Sequence, residues 1–248
     1  MNTYPCFENR TALITGGASG IGRAVAGKLL DLGANLVVWD INAARLEELR
    51  ALAPDRIETA VVDVSDSSAV RAAAEVARAR FGGFDYLLNN AGIIGRHMSV
   101  TELDEAELDR VLAVNLKSVF VVSNVFLSAP SGREGRAIVN LSSIAQRTGG
   151  MVGSIAYATT KGAVHSFTTA LAKELAPHVR VNAMAPGVID TEIQKDVFTD
   201  PSKIAAMADV IPLKRLGTAE EVADCAVWLF SDASAYVTGI SIDVSGGR

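Results

Sequence analysis

The stretch that most narrows the fold lies near the N-terminus. Thr11 to Thr15 is a β-prone run that ends in Gly16-Gly17-Ala18-Ser19-Gly20-Ile21-Gly22. Apolar residues then recur with helical spacing at Ile21, Val25, Leu29 and Leu32. Strand, glycine loop and helix follow one another without a break. Glycines at 16, 20 and 22 let the backbone turn tightly and let a pyrophosphate approach the start of the helix, where free N–H groups and the helix dipole favour anions. The GxxxGxG spacing differs from the GxGxxG fingerprint but serves the same purpose in the same strand-to-helix setting. Gly33 supplies the helix C-cap.

Leu36-Val37-Val38-Trp39 reads as a second buried strand, and Asp40 stands at its end, eighteen residues beyond Gly22. A dinucleotide-binding fold places its ribose-reading acid there. A carboxylate at that point accepts hydrogen bonds from both adenosine ribose hydroxyls and repels a 2'-phosphate, so NAD is favoured over NADP. Neither Ala18, Ser19 nor Ile41 offers a cation for such a phosphate; Arg45, one turn into the next helix, is the only reservation.

The rest of the chain continues the alternation. A helix through Leu46 and Leu49 leads to a strand from Ile57 to Val62, ending in Asp63-Val64, and a helix spans Ser67 to Arg80. Phe84 to Leu88 makes a fourth strand, closing in Asn89-Asn90-Ala91-Gly92, whose small residues allow close approach of a ligand or a neighbouring strand. Asp104 with Glu107 predicts a helix start of capping-box type. That helix becomes apolar nearly all round between Val119 and Leu127, and Asn115 interrupts it with an amide that needs internal partners, a ligand or water. Ala137 to Leu141 is a strand carrying Ser142-Ser143 at its end. A long helix from about Ser154 to Ala176 follows, then a strand from Val179 to Ala183 ending in Pro186-Gly187. A polar lid is expected over roughly 190–215, then a helix from Glu220 to Phe230 and a strand from Ile240 to Val244. The pattern predicts one α/β domain over residues 1–248: a Rossmann-type, doubly wound parallel sheet of about seven strands with helices on both faces.

Composition excludes several classes of partner. With 248 residues and 49% hydrophobic content a large core can be buried, while the net charge of -5 and 23 scattered Lys and Arg argue against nucleic acid. The apolar run from Leu116 to Leu127 is broken by Lys117, Ser118, Ser123 and Asn124, short of the ~20 residues of a membrane span. The first residues, Met1 to Pro5, lack an export signal, so the expected location is cytoplasmic. Cys6, Cys225 and the three histidines show no metal-ligand spacing, and no metal is expected.

Tyr157 and Lys161, four residues apart in a helical pattern, share one face about one turn apart. The same face continues inward through Val164, Phe167, Leu171 and Leu175, so an ammonium is expected beside a phenol at the end of an apolar stripe. A free tyrosine titrates near pH ~10, and an ammonium about 4 Å away at an effective dielectric near 20 supplies roughly 4 kcal/mol, or up to ~3 pK units, towards a working base. Strand ends gather Gly16, Asp40, Asp63, Asn90 and Ser143 at the sheet edge where ligands bind in open parallel sheets.

Thr15-Gly16-xxx-Gly20-x-Gly22, Asn89-Asn90-Ala91-Gly92, Asn115, Ser143, Tyr157-xxx-Lys161 and Pro186-Gly187 together resemble the short-chain dehydrogenase/reductase family, nearly end to end. The resemblance implies an NAD-dependent oxidoreductase interconverting a secondary alcohol and a ketone. It makes Tyr157 the general acid/base and lets Ser143 hydrogen-bond the reacting oxygen. It places Lys161 on the nicotinamide ribose, lowering the tyrosine pKa, and gives Asn115 a proton-relay water. It assigns cofactor contacts to Gly16, Ser19, Ile21, Asp40, Asp63, Val64, Asn90, Ile189 and Thr191, beside Gly20, Gly22, Ala91, Gly92, Pro186 and Gly187 of the motifs. A homotetramer is implied as well. Ser143 lies fourteen residues before Tyr157 rather than the family's usual thirteen, which leaves the loop from Ile144 to Gly153 open; Ser143 is nearer that spacing than Ser142. Arg96, His97, Gln146, Arg147, Met151 and Val152 are candidates for the substrate pocket, with Arg96 and Arg147 able to receive a carboxylate or phosphate. Sugars, polyols, hydroxy acids and acyl thioesters all fit this reading. A non-catalytic NAD-binding redox sensor is the competing class, and it has no use for Ser143, Tyr157 and Lys161.

Overall fold

A computed structural model describes residues 7–191 and 201–248; Cys6 and residues 192–200 of the expected lid lie outside them. Seven strands form one parallel sheet: β1 (Thr11–Thr15), β2 (Asn35–Asp40), β3 (Ile57–Val61), β4 (Tyr86–Asn89), β5 (Arg136–Leu141), β6 (Val179–Pro186) and β7 (Ser241–Val244). Their order is β3-β2-β1-β4-β5-β6-β7, with every neighbouring pair parallel. The chain winds outward from β1 in one direction and from β4 in the other. The crevice between their C-terminal ends is therefore a switch point, where an open parallel sheet receives ligands.

Both faces of the sheet are covered, so the strands read as continuous apolar runs. Side chains alternate across the sheet: Ile14, Leu36 and Val38 join one core, Leu13, Val37 and Trp39 the other. Helices α1 (Gly20–Asp31), α2 (Ala43–Ala51) and α9 (Ala219–Phe230) close the first core with Val25, Leu29, Leu46, Leu49, Val222 and Phe230. The second is closed by α3 (Ser67–Phe81), α5 (Ser118–Ser128) and α7 (Ile155–Leu175), through Val70, Ala74, Val122, Phe126 and Leu171. Burial of each such large side chain contributes about 1.5–3 kcal/mol, which is why the winding holds. Three more α-helices, α4 (Glu105–Leu112), α6 (Ala145–Thr148) and α8 (Pro201–Val210), and a 3-10 turn at Asp232–Ser234 belong to the described residues.

Between α4 and α5 a π-helical turn, Ala113–Lys117, joins them into one stretch from Glu105 to Ser128. By length and composition this stretch is apolar enough to cross a membrane, contrary to the expectation from its polar interruptions. In the fold Val119, Val122, Val125 and Phe126 are buried, three of them in the second core, while Phe120 stays half exposed and packs on Phe167 at 4.4 Å.

Other details also depart from expectation. Strand β4 begins at Tyr86 because Phe84 instead bridges to Pro130. Strand β6 runs on to Pro186, paired with β7 throughout its last four residues. Asp104 does cap α4, accepting from the Glu107 N–H at 2.7 Å, but Glu107 does not turn back to the cap. Its carboxylate is held by arginines and a loop amide instead. A full capping box stands at α9, between Thr218 and Glu221.

At the N-terminal edge of the sheet, away from the switch point, Asp85 is fully buried. It accepts hydrogen bonds from Arg10 Nη1 (2.9 Å), Thr11 N (2.8 Å) and Ser131 Oγ (2.7 Å). This cluster locks the starts of β1 and β4 together.

Candidate active site

A cleft of about 450 Å³ opens at the switch point. Its wall takes in Gly16, Ser19, Gly20, Ile21, Asp40, Asp63, Val64, Asn90, Ala91, Gly92 and Thr191 of the expected cofactor residues. A smaller cavity of about 90 Å³ shares Ile21, Asn90, Gly92 and Thr191 with it and adds Ser143, Tyr157, Lys161, Pro186, Gly187 and Ile189. Two of the expected cofactor and catalytic residues line neither, nor do Arg96, His97, Gln146, Arg147, Met151 and Val152. Gly22 is a packing position, because a Cβ there would lie 2.3 Å from Gly16 O and 2.6 Å from Asn90 Nδ2. Asn115 is buried behind the wall.

The glycine loop is held in shape by its neighbours. Gly16 has φ +62°, and a Cβ on it would meet Ala91 Cα at 2.9 Å, so only glycine fits between β1 and β4. Asn90 Nδ2 donates to Thr15 O (3.0 Å) and Gly16 O (2.7 Å), and Thr15 Oγ1 accepts from the N–H groups of Asn90 and Ala91, both at 3.1 Å. Asp40 grips the loop from the other side: Oδ2 accepts from Ala18 N and Oδ1 from Asn42 N, each at 3.0 Å. Each carboxylate oxygen keeps a further lone pair for a ligand. Asp63 accepts from Ser65 N and Oγ.

At the inner end, Asn89 donates to Asn140 Oδ1 at 2.8 Å, and Asn140 donates to Thr168 Oγ1 at 2.9 Å, tying β4, β5 and α7 together inside the second core. This fixes α7 and with it Tyr157 and Lys161. Ser142 is spent on structure, with Oγ 2.8 Å from the Lys161 carbonyl and 3.0 Å from Gln146 Oε1. Ser143 lines the same cavity as Tyr157, and its hydroxyl favours the ionised form of the Tyr157 phenol there. The fourteen-residue spacing is absorbed by α6 and the turn after it, where Gly149, Gly150 and Gly153 all take positive φ.

The electrostatics differ from the sequence expectation. Burial raises the Tyr157 pKa above 10, and the Ser143 hydrogen bond opposes it only in part. Lys161 does not bring it down. Its ammonium lies 5.6 Å from the centroid of the Tyr157 ring and donates to Leu141 O at 2.7 Å, while burial pushes its own pKa down to about 8. The spacing argument weighed the charge but not the desolvation that both groups undergo on entering α7's inner face.

Asn115 uses its whole amide on the protein: Oδ1 accepts from Ile93 N (2.8 Å), and Nδ2 donates to Ile93 O (2.8 Å) and Thr160 Oγ1 (3.2 Å). The expected substrate cations are occupied too. Arg96 pairs with Asp104 at 2.6 Å, and Arg147 pairs with Asp243 at 2.9 Å and donates to Arg248 O. Gln146 donates to Ser241 Oγ, and His97 Nδ1 lies 3.3 Å from Val152 O, with Val152 fully exposed.

A family model described as enoyl-(acyl carrier protein) reductase matches residues 16–248. An uncharacterized short-chain type dehydrogenase/reductase of Sinorhizobium fredii is 38% identical, covering 97% of this chain and 98% of its own length. The chain belongs to the short-chain dehydrogenase/reductase family. Among other relatives of this dehydrogenase/reductase is a 3-oxoacyl-acyl-carrier-protein reductase of Thermotoga maritima, 37% identical over 97% of this chain and 98% of the relative. The crystal structure of a family member from Brucella melitensis, described as a glucose/ribitol dehydrogenase, superposes with a TM-score of 0.92 at 37% identity, covering 99% and 98% of the two chains. Levodione reductase follows at a TM-score of 0.90 and 33% identity, covering 97% and 98%. Members of this family work with a nicotinamide cofactor on hydroxyl or carbonyl groups, and the dehydrogenase/reductase described here shares their fold along its length.

Several residues of the dehydrogenase/reductase site had no sequence signal strong enough to single them out. Trp39 and Arg110 line the large cleft and Leu141 lines both cavities. Thr15, already part of the glycine-loop motif, staples the loop through its hydroxyl.

Proposed function

We propose that the protein interconverts a secondary alcohol and a ketone by hydride exchange with NAD, with Tyr157 moving the proton. The observation that carries the proposal is the meeting of Ser143, Tyr157 and Lys161 in the cavity that continues the glycine-loop cleft. The residues fit a dinucleotide: a Cβ at Gly20 would meet nothing nearer than Thr191 Cγ2 at 3.5 Å, so glycine there leaves a cradle open at the start of α1. When bound, the nicotinamide ring supplies or accepts the hydride. Tyr157, protonated at neutral pH, gives its proton to the carbonyl oxygen in reduction, and in oxidation its tyrosinate form takes the proton of the hydroxyl, while Ser143 holds that oxygen by a hydrogen bond. Lys161 provides the buried positive charge behind the phenol and a donor for the nicotinamide ribose. Asn115 contributes by holding Ile93, and through it the inner wall where a relay water would stand.

NAD is favoured over NADP by Asp40 and Asp63 in the cleft wall and by the absence of any basic lining residue except Arg110 among the described residues. Arg110 is paired with the Glu107 carboxylate, which offsets its charge towards a 2'-phosphate. A second reading, reduction of a 3-oxoacyl thioester, is favoured by the 36–37% identity to reductases of that kind. A redox sensor would need the cleft but not the Ser143–Tyr157–Lys161 group. Association into a homotetramer belongs to the proposal as well, supported by the half-exposed Phe120 on a largely apolar helix; light scattering that found a monomer at micromolar concentration would remove it. The test of function is reduced-nicotinamide absorbance with NAD and with NADP against secondary alcohols, polyols, hydroxy acids and a 3-oxoacyl thioester. Turnover with NAD on an alcohol or ketone supports the reading; turnover with NADP alone overturns its cofactor, and turnover of the thioester alone moves the assignment to the second reading.

A further inference from the structure

One buried carboxylate outside the Ser143–Tyr157–Lys161 group reaches both halves of the site. Glu107 is only 5% exposed although it sits in the first turn of α4. Arg110 grips it with two hydrogen bonds, Nε at 2.9 Å and Nη2 at 2.8 Å. Arg110 is also the only Lys or Arg lining the large cleft among the described residues, one turn before Ala113 and Val114 on the same wall. From its other side Glu107 Oε1 accepts the Arg96 backbone N–H at 2.7 Å, and Arg96 Nε approaches Oε2 at 3.6 Å. The chain passes so close here that a Cβ on Gly95 would meet Glu107 Oε1 at 2.9 Å and Val111 Cγ2 at 2.7 Å.

The segment so pinned matters to both cavities. Ile93 lines both of them, and Ile94 lines the cavity with Tyr157. Four residues beyond Ile94, Met98 N donates to Gly153 O at 2.9 Å, which ties the segment to the turn that starts α7. Asn115 holds the near end of the segment at Ile93 and Glu107 holds the far end at Arg96, eight residues apart on the same helical stretch. An unbroken path of hydrogen bonds and backbone thus runs from the Arg110 guanidinium in the cleft to the N-terminus of the helix that carries Tyr157.

We infer that Glu107 is a positioning residue that couples the two halves of the site: it aims Arg110 into the cofactor cleft and fixes residues 93–98 beside Tyr157. The inference rests on the reading of the large cleft as the NAD site. The guanidinium, half exposed at that wall, is held in place by Glu107 through Nε and Nη2 and keeps its remaining N–H donors for a dinucleotide. Occupying the cleft then orders the pinned segment, because both share one carboxylate. Asp85 offers a comparison, since it is also a buried carboxylate with arginine and backbone N–H partners, at the opposite edge of the sheet.

The test uses the purified chain and NAD as the probe, with binding followed by calorimetry and backbone hydrogen exchange read with and without NAD. In the wild type, NAD slows exchange across residues 93–98. Arg110→Met keeps the Arg96 N–H bond to Glu107, yet it weakens NAD binding about fivefold and abolishes that slowing; Glu107→Gln, which keeps the shape and one acceptor, weakens binding about tenfold, the size of one lost charge-assisted contact. Asp85→Asn lowers the melting temperature but leaves the NAD affinity and the slowing unchanged. Unaltered NAD affinity in both Arg110→Met and Glu107→Gln overturns the inference, as does slowing that survives in Arg110→Met. Affinity that falls equally in Asp85→Asn reduces Glu107 to a fold-stabilising role. A wild-type chain that binds no nicotinamide dinucleotide defeats the cofactor reading itself, and the inference with it.

Discussion

Lys161→Met is expected to make the protein more stable and inactive at once. The amine is buried, and its pKa falls from 10.5 to about 8, a difference of about 2.5 units caused by desolvation. At 1.36 kcal/mol per unit, holding the ammonium in the fold at pH 7 costs about 3 kcal/mol relative to the unfolded chain. Methionine has nearly the same length and no charge to desolvate. Its substitution leaves the Leu141 carbonyl without its 2.7 Å donor, a loss of about 1 kcal/mol or somewhat more, so about 1–2 kcal/mol of added stability remains. For a chain of this size that is a rise in Tm of about 2–8 °C. The pH dependence identifies the cause. Because the folded pKa is depressed, the wild type regains stability as pH rises through about 8 towards 10.5, when Lys161 loses its proton, and the advantage of the variant shrinks over that window. Thermal unfolding of both proteins at pH 7 and at about pH 9.5, with turnover measured in parallel, checks the whole chain of reasoning. A variant less stable than the wild type at pH 7, or an advantage that does not change with pH, refutes it.

Gly22→Ala should fold but bind NAD at least about tenfold more weakly, because its Cβ would sit 2.3 Å from Gly16 O and must displace the glycine loop; circular dichroism with calorimetry separates the two effects. Asp40→Asn should weaken NAD and relax the preference against NADP, read as the ratio of kcat/KM for the two cofactors, and an unchanged ratio would take Asp40 out of that role. Since the Tyr157 pKa is raised above 10, the phenol keeps its proton through the neutral range: ketone reduction should stay level there, whereas alcohol oxidation, which needs the tyrosinate, should climb as pH rises towards 10. An oxidation rate that reaches its plateau below pH 8 would contradict the direction of that shift.

The parts of the molecule that could be read from sequence are those set by local pattern. β1, its glycine loop and α1 fall where Thr11 to Leu32 predict them, and Asp40 ends β2 as expected. Tyr157 and Lys161 share a cavity because helix geometry alone brings them together. What escaped the sequence depends on contacts between distant segments. Arg147 looked available for an anion, yet Asp243 reaches it from ninety-six residues away. Glu107 looked like half of a capping box, and the return of the chain at Arg96 draws its carboxylate elsewhere. The direction of the Tyr157 shift belongs to the same class, since burial is set by the assembled fold while the neighbouring charge is visible in the spacing. Short elements such as α6 leave too few residues for periodicity to show.

The central claim is that Tyr157 moves the proton during hydride transfer with a bound nicotinamide cofactor. Tyr157→Phe removes one oxygen and keeps the ring that packs against Lys161, so it separates chemistry from binding. The measurement is turnover of the wild type and of this variant on one alcohol and ketone pair, with NAD affinity measured on the same samples. The account predicts affinity within about twofold of the wild type and a kcat lower by about two to four orders of magnitude. A variant that binds NAD equally well and keeps a substantial fraction of wild-type turnover would contradict it.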